Sequence, residues 1–72
     1  MLKAEHHDWD CPTCDGSRRF RQLKPHEETR LAELGHSPAD INRTYRCSIT
    51  SCLSIRRHLS PWKGRLPDDI DD

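Results

Sequence analysis

The sequence predicts a small α+β domain in which short antiparallel strands carry two cysteine knuckles, with a helical hairpin inserted between them. Three observations lead there. The four cysteines fall into two pairs, Cys11-Pro-Thr-Cys14 and Cys47-Ser-Ile-Thr-Ser-Cys52. Two proline-started helical patterns lie between those pairs and are separated by Gly35. The chain has 72 residues, 32% apolar and 33% charged, so its core is thin and needs a staple to offset the entropy of folding.

Along the chain, residues 1–10 read as a polar N-terminal arm, within which Trp9 stands two positions before Cys11 and can pack on the first knuckle. Residues 17–24 read as a short strand, with Phe20 and Gln22 on one side and Arg19, Arg21 and Leu23 on the other. The first helix begins at Pro25. Glu27 and Glu28 complement its N-terminal dipole, Leu31 and Leu34 form its apolar pair, and Gly35 stops it in a left-handed cap. Ser37 then caps a second, short helix that starts at Pro38 and runs to about Arg43, with Asp40 at the capping-box position. The Gly35 turn also suits a helix-turn-helix. The second helix is too short to read a major groove, so a hairpin packed on the strands is the better expectation. Tyr45-Arg46 leads into Cys47 as a strand, and residues 53–59 leave Cys52 as another, with a helix as rival. Pro61 ends that segment. The expected domain therefore spans 11–65, followed by an acidic tail, 66–72, expected to be disordered.

The cysteines decide how such a chain is held. No apolar leader precedes them and no run reaches membrane-spanning length, so the expectation is a cytoplasmic protein with reduced thiols. Paired thiols in that setting read as metal ligands, zinc before an iron–sulfur cluster or disulfides. In the first knuckle, N–H groups after Cys11 can point at its sulfur, the proline stiffens the turn, and Gly16 tolerates positive φ. The second knuckle is longer. His6, His7 and His58 are rival ligands should it fail to close, whereas His26 and His36 read as ordinary solvent residues. Four thiolates on Zn²⁺ leave no position for water, which makes the expected site structural. No nucleophile with a base and an orienting acid, and no phosphate-binding glycine loop, stands in the sequence, so an enzyme is not expected.

Net charge is zero but segregated. Residues 16–65 carry a net +7, residues 1–15 carry −3 and residues 66–72 carry −4. The basic middle suggests a polyanion or an acidic protein as partner; the alternative is acidic ends folding back on it. Arg18, Arg19, Arg21, Arg43, Arg46, Arg56, Arg57, Lys63 and Arg65 are the candidate contacts, with Trp62 as an apolar anchor.

At Cys11-Pro-Thr-Cys14 and Tyr45-Arg46-Cys47-Ser48-Ile49-Thr50-Ser51-Cys52 the chain resembles a zinc ribbon of the Ogr/Delta type of phage transcription activators. Relative to that family, the segment between knuckles is longer, position 49 is Ile, and no aromatic residue follows Cys52. The resemblance implies Cys11, Cys14, Cys47 and Cys52 as zinc ligands and a role in transcription through RNA polymerase and promoter DNA. A fainter similarity, Cys47…Cys52-Leu53 followed by Pro61-Trp62-Lys63-Gly64, is to the WhiB-like iron–sulfur regulators, whose cysteine spacing is not matched. The expected function is a small zinc regulator docking on RNA polymerase or another protein of the transcription machinery, or on DNA, without membrane or small-molecule substrate. The alternative is a phage-encoded adaptor or inhibitor that covers a host protein in the cytoplasm, its acidic tail imitating nucleic acid.

Overall fold

The computed structural model describes residues 5–49 and 52–70. Residues 1–4 of the expected arm, Thr50 and Ser51 of the second knuckle, and Asp71 and Asp72 of the expected tail lie outside the described residues. The elements follow in the order β1 (His6–Cys11), β2 (Gly16–Gln22), α1 (Pro25–Glu33), α2 (Pro38–Arg43), β3 (Thr44–Cys47), β4 (Ser54–Arg57) and β5 (Lys63–Arg65). The five strands form one antiparallel sheet in sequence order, with the two helices inserted between β2 and β3.

The register explains the two faces. His7 stands opposite Phe20 and Phe20 opposite Cys47, while Tyr45 stands opposite Arg56 and Arg56 opposite Lys63. Side chains alternate along a strand and paired residues share a face. One face therefore carries His7, Trp9, Cys11, Phe20, Tyr45 and Cys47. The other carries Arg46, Ile55 and Arg57, and receives the helices.

Each face has its own small core. On the first, Cys11, Phe20, Tyr45, Cys47 and Cys52 are buried together, with Trp9 and Cys14 packed against them. On the second, Leu23, Leu31, Ile41, Ile55 and Leu66 are buried, joined by Leu53, Trp62 and Ile70. Burial of Leu31 or Ile55 stabilises the fold by about 1.5–3 kcal/mol each. Three of the five wholly buried members on the first face are cysteines, so that side has little apolar area of its own.

Helix ends form as the sequence predicts. Gly35 takes φ +97°, and its N–H donates to Ala32 O at 3.1 Å. Ser37 Oγ accepts from the Asp40 N–H at 3.2 Å, and Thr44 Oγ1 donates to Asp40 O at 2.7 Å. α1 and α2 pack as a hairpin on the sheet.

Three boundaries differ from the sequence reading. Residues 6–10 are not an arm but most of β1, because His7, Trp9 and Cys11 share one face while the intervening His6, Asp8 and Asp10 face outward and make the stretch look polar. Residues 66–70 are not a loose tail: Leu66 is buried, its N–H donates to Leu53 O at 2.8 Å, and Ile70 packs on the second core. Asp69 reaches Arg30 at 3.2 Å and Asp68 reaches Arg65 at 3.4 Å. The folded unit thus exceeds 11–65 at both ends. β5 is a further strand, seated on β4 after the bend at Pro61.

Candidate metal centre

The β1–β2 turn and the β3–β4 connection bring the four cysteines to one place. Asp15 N–H donates to Cys11 O at 3.0 Å, and positive φ at Asp15 (+54°) and Gly16 (+147°) turns the chain back into β2. Opposite, Cys52 N–H donates to Ile49 O at 3.0 Å and closes the longer second knuckle.

The four sulfurs all lie within 4.8 Å of one another. Cys11 Sγ is 3.5 Å from Cys52 Sγ, and Cys14 Sγ is 3.3 Å from Cys52 Sγ and 3.9 Å from Cys47 Sγ. Zn–S bonds of about 2.3 Å in a tetrahedron require sulfurs about 3.8 Å apart. The quartet fits a tetrahedral thiolate-bound metal with little adjustment, and all four cysteines are free thiols. Among the described residues, they are the one cluster of metal-ligating side chains. His6, His7 and His58 do not join it. His7 instead stacks on Trp9, with ring centroids 4.7 Å apart, and on His58 at 4.5 Å.

The thiols are not equivalent. Burial pushes the Cys11 thiol up, but hydrogen bonds from Ser54, from the backbone N–H groups of Cys14 and Thr13, and with Cys52 outweigh it and bring the thiol down to about 6. Those N–H groups are the donors expected of a Cys-Pro-x-Cys knuckle. Burial takes Cys47 the other way, to about 12, against one backbone donor at Ile49. A cation held by the quartet would supply the positive charge that stabilises all four thiolates.

Behind the centre lies an ion pair that the sequence reading missed. Glu27 is fully buried, and its carboxylate accepts from Arg46 Nη1 at 2.5 Å, from both terminal nitrogens of Arg21 at 2.9 and 3.0 Å, and from the Lys24 N–H at 2.7 Å. Burial raises the Glu27 carboxyl, but these donors, Arg21 foremost, hold it down at about 2. Arg46 Nε also donates to Cys52 O at 3.2 Å, which ties the second knuckle to α1. The available signal was Glu27 at the third helical position, where a carboxylate reaches back to the capping N–H.

This removes Arg46 from the candidate surface contacts, since it is 1% exposed and satisfied within the fold. Arg21 is largely committed to Glu27. Arg57 lies over the Trp62 ring, 3.8 Å from its centroid, and donates to His36 Nδ1 at 2.7 Å. Trp62 is correspondingly half-buried as part of the second core rather than a free anchor, and His36 is a packing partner rather than a solvent residue. Arg43 pairs with Asp40 at 3.0 Å. Arg18, Arg19, Arg56, Lys63 and Arg65 stand at least partly in solvent.

No family model matches the chain, and neither a curated protein nor a solved structure matches it. No helix among the described residues is long and apolar enough to cross a membrane.

Proposed function

We propose that this is a small structural-zinc protein acting in transcription regulation, docking on RNA polymerase, on DNA or on both through its basic surface. The clustering of four cysteine sulfurs at metal-binding spacing carries the reading. Thiolate quartets select zinc or iron–sulfur clusters, and tetrahedral spacing around one centre favours a single zinc. Four protein ligands close the coordination shell, so the metal holds the fold and does no chemistry. Contact then falls to Arg18, Arg19, Arg56, Lys63 and Arg65, a cationic set suited to nucleic acid or to an acidic face of the polymerase.

The alternative, an adaptor or inhibitor whose acidic tail imitates nucleic acid, draws less support from the geometry. Asp68 and Asp69 are engaged with Arg65 and Arg30. Two measurements test the proposal: native mass spectrometry with metal analysis, and retention on immobilised RNA polymerase before and after chelation. One zinc per chain and zinc-dependent retention are expected. An absorbing iron cluster, or a folded chain that ignores both chelator and polymerase, overturns it.

A further inference from the structure

The sheet face opposite the helices carries more than the metal. Beyond the knuckles it presents a group of flat rings: His7 lies parallel to Trp9, within 2° at 4.7 Å, and stacks on His58 at 4.5 Å. Tyr45 meets both His7 and Trp9 edge-on, at 4.7 and 5.6 Å, and Phe20 supports Trp9 at 5.5 Å. The inner rings are buried, whereas His7, Trp9 and His58 are only half-buried. Burial, with His58 and His6 nearby, keeps the His7 imidazole below its usual value, so at neutral pH it stacks as an uncharged ring.

Three cations on this face differ from most of those elsewhere. Arg30, Arg43 and Arg57 on the helix side each have a carboxylate within 4.0 Å, as does Arg65, which the register places on the ring face. Arg18, Arg56 and Lys63 share the ring face by register and have no ion pair among the described residues. Among the described residues, Arg18 donates to the carbonyls of Ser17 and Cys14, and Arg56 to that of Asp10. The Arg56 guanidinium lies 5.4 Å from the Trp9 centroid, and its buried Nε has no hydrogen-bond partner among the described residues. Asp10 and Asp15 bound the face at the knuckle end, where they line an open cleft of about 330 Å³ with Lys63.

We propose that this ring-and-cation face binds single-stranded nucleic acid, its unpaired bases extending the Trp9–His7–His58 group and its phosphates meeting Arg18, Arg56 and Lys63. A π-face accepts any unpaired base, whereas duplex bases are already stacked on one another and cannot reach it. Three half-exposed rings and three unpaired cations on one face match that alternation of base and phosphate. The inference rests on the functional reading above and names the form of nucleic acid that the basic surface takes.

The test is fluorescence anisotropy of a labelled oligothymidylate of about twelve nucleotides, and of a duplex of equal length, with the metal-loaded protein. Preferential binding of the single strand is expected, with quenched tryptophan fluorescence and a slope of log affinity against log salt of about −2, from three phosphates. Trp9→Ala should weaken binding about tenfold. Because Trp9 also packs on the first core, His58→Ala and Lys63→Gln serve as variants that leave that core intact, and each should cost at least about threefold. Leu34→Ala, at the exposed C-cap of α1, should change nothing. Equal or tighter duplex binding, or single-strand binding indifferent to both His58→Ala and Lys63→Gln, overturns the inference. If the protein is retained by polymerase but binds no single strand, the inference falls and the functional reading stands; if it does neither, both fall.

Discussion

On one face of the sheet, Cys11, Cys14, Cys47 and Cys52 converge beside only two large buried apolar side chains, Phe20 and Tyr45. On the other, Leu23, Leu31, Ile41, Ile55 and Leu66 interlock under two helices around the buried Glu27–Arg46 pair. The four sulfurs of the first face are spaced as a metal ion would need them, and that face has little other apolar area to hold it together. The second is a conventional, if small, core in which a charged pair has been fully satisfied by hydrogen bonds. Each face also holds one tryptophan under one arginine, Trp9 with Arg56 and Trp62 with Arg57. Arg56 and Arg57 are adjacent on β4, so strand alternation sends them to opposite faces. The difference teaches that a chain too short for one sufficient core can divide the work between coordination and burial.

The sharpest way to break this comparison is to remove the metal. Structural zinc contributes on the order of 10 kcal/mol of folding free energy in small domains, more than the whole stability of a chain this size. Chelation, or Cys47→Ser, should therefore unfold both faces, because Arg46 Nε on Cys52 O and the continuous sheet join them. Circular dichroism during chelator titration checks it. Persistence of the helical signal after metal loss would show that the second face stands alone.

Next in size is Glu27→Gln. The folded carboxyl sits at about 2, against an ordinary value near 4.3 in an unfolded chain, a difference of about 3 kcal/mol. A depressed carboxyl contributes fully above its unfolded value, and the contribution is lost as pH falls towards 2. The gap in stability between wild type and Glu27→Gln should therefore be flat between about pH 5 and pH 8, measured by urea unfolding of the metal-loaded proteins. A gap that narrows inside that range would place the Glu27 titration higher and weaken its pairing with Arg46. Metal affinity should change much less than stability, since Glu27 touches no cysteine.

How much of this was legible in the chain follows from the range of each interaction. The knuckles and the capped helices announce themselves through residues close in sequence: Cys11 with Cys14, Pro25, Gly35, and Ser37 with Asp40. Their pairing into one quartet follows because four thiols are needed for one tetrahedron. β1 was hidden because its outward residues are His6, Asp8 and Asp10, and β5 because Lys63-Gly64-Arg65 has no apolar alternation at all. The Glu27–Arg46 pair joins residues 19 apart, and each looks like an ordinary surface charge until α1 docks on β3. Charge and aromatic residues therefore suggested a surface in which Arg46 and Trp62 took part, and packing withdrew them.

A smaller perturbation tests the helix side alone. Gly64 lies directly under the Trp62 ring, and a Cβ there would overlap the ring carbons Cη2 and Cζ2. Gly64→Ala should push Trp62 out of its place between Arg57 and His36, costing about 1–3 kcal/mol. Trp62 emission should shift towards the red while metal stoichiometry stays at one. A changed metal content would show that the two faces are coupled through β5 as well as through Arg46.

The smallest effect should come from the turn that joins the two tryptophan–arginine stacks. Leu59 follows His58 on the ring face, precedes Trp62 on the helix side, and is 84% exposed in the left-handed region at φ +59°. A leucine there carries a backbone cost of about 1–2 kcal/mol that no buried contact offsets. Leu59→Gly relieves the cost but adds entropy to the unfolded chain, so the net gain should be under about 1 kcal/mol. Leu59→Asn tolerates the same region with less unfolded-state entropy and should gain as much or more. Thermal melting of both metal-loaded variants measures the effect, which should be equal with the metal-side stack intact or weakened by His58→Ala. If either variant instead lowers stability, the turn's conformation is held by Leu59 itself, and the two faces meet there through a contact rather than through backbone alone.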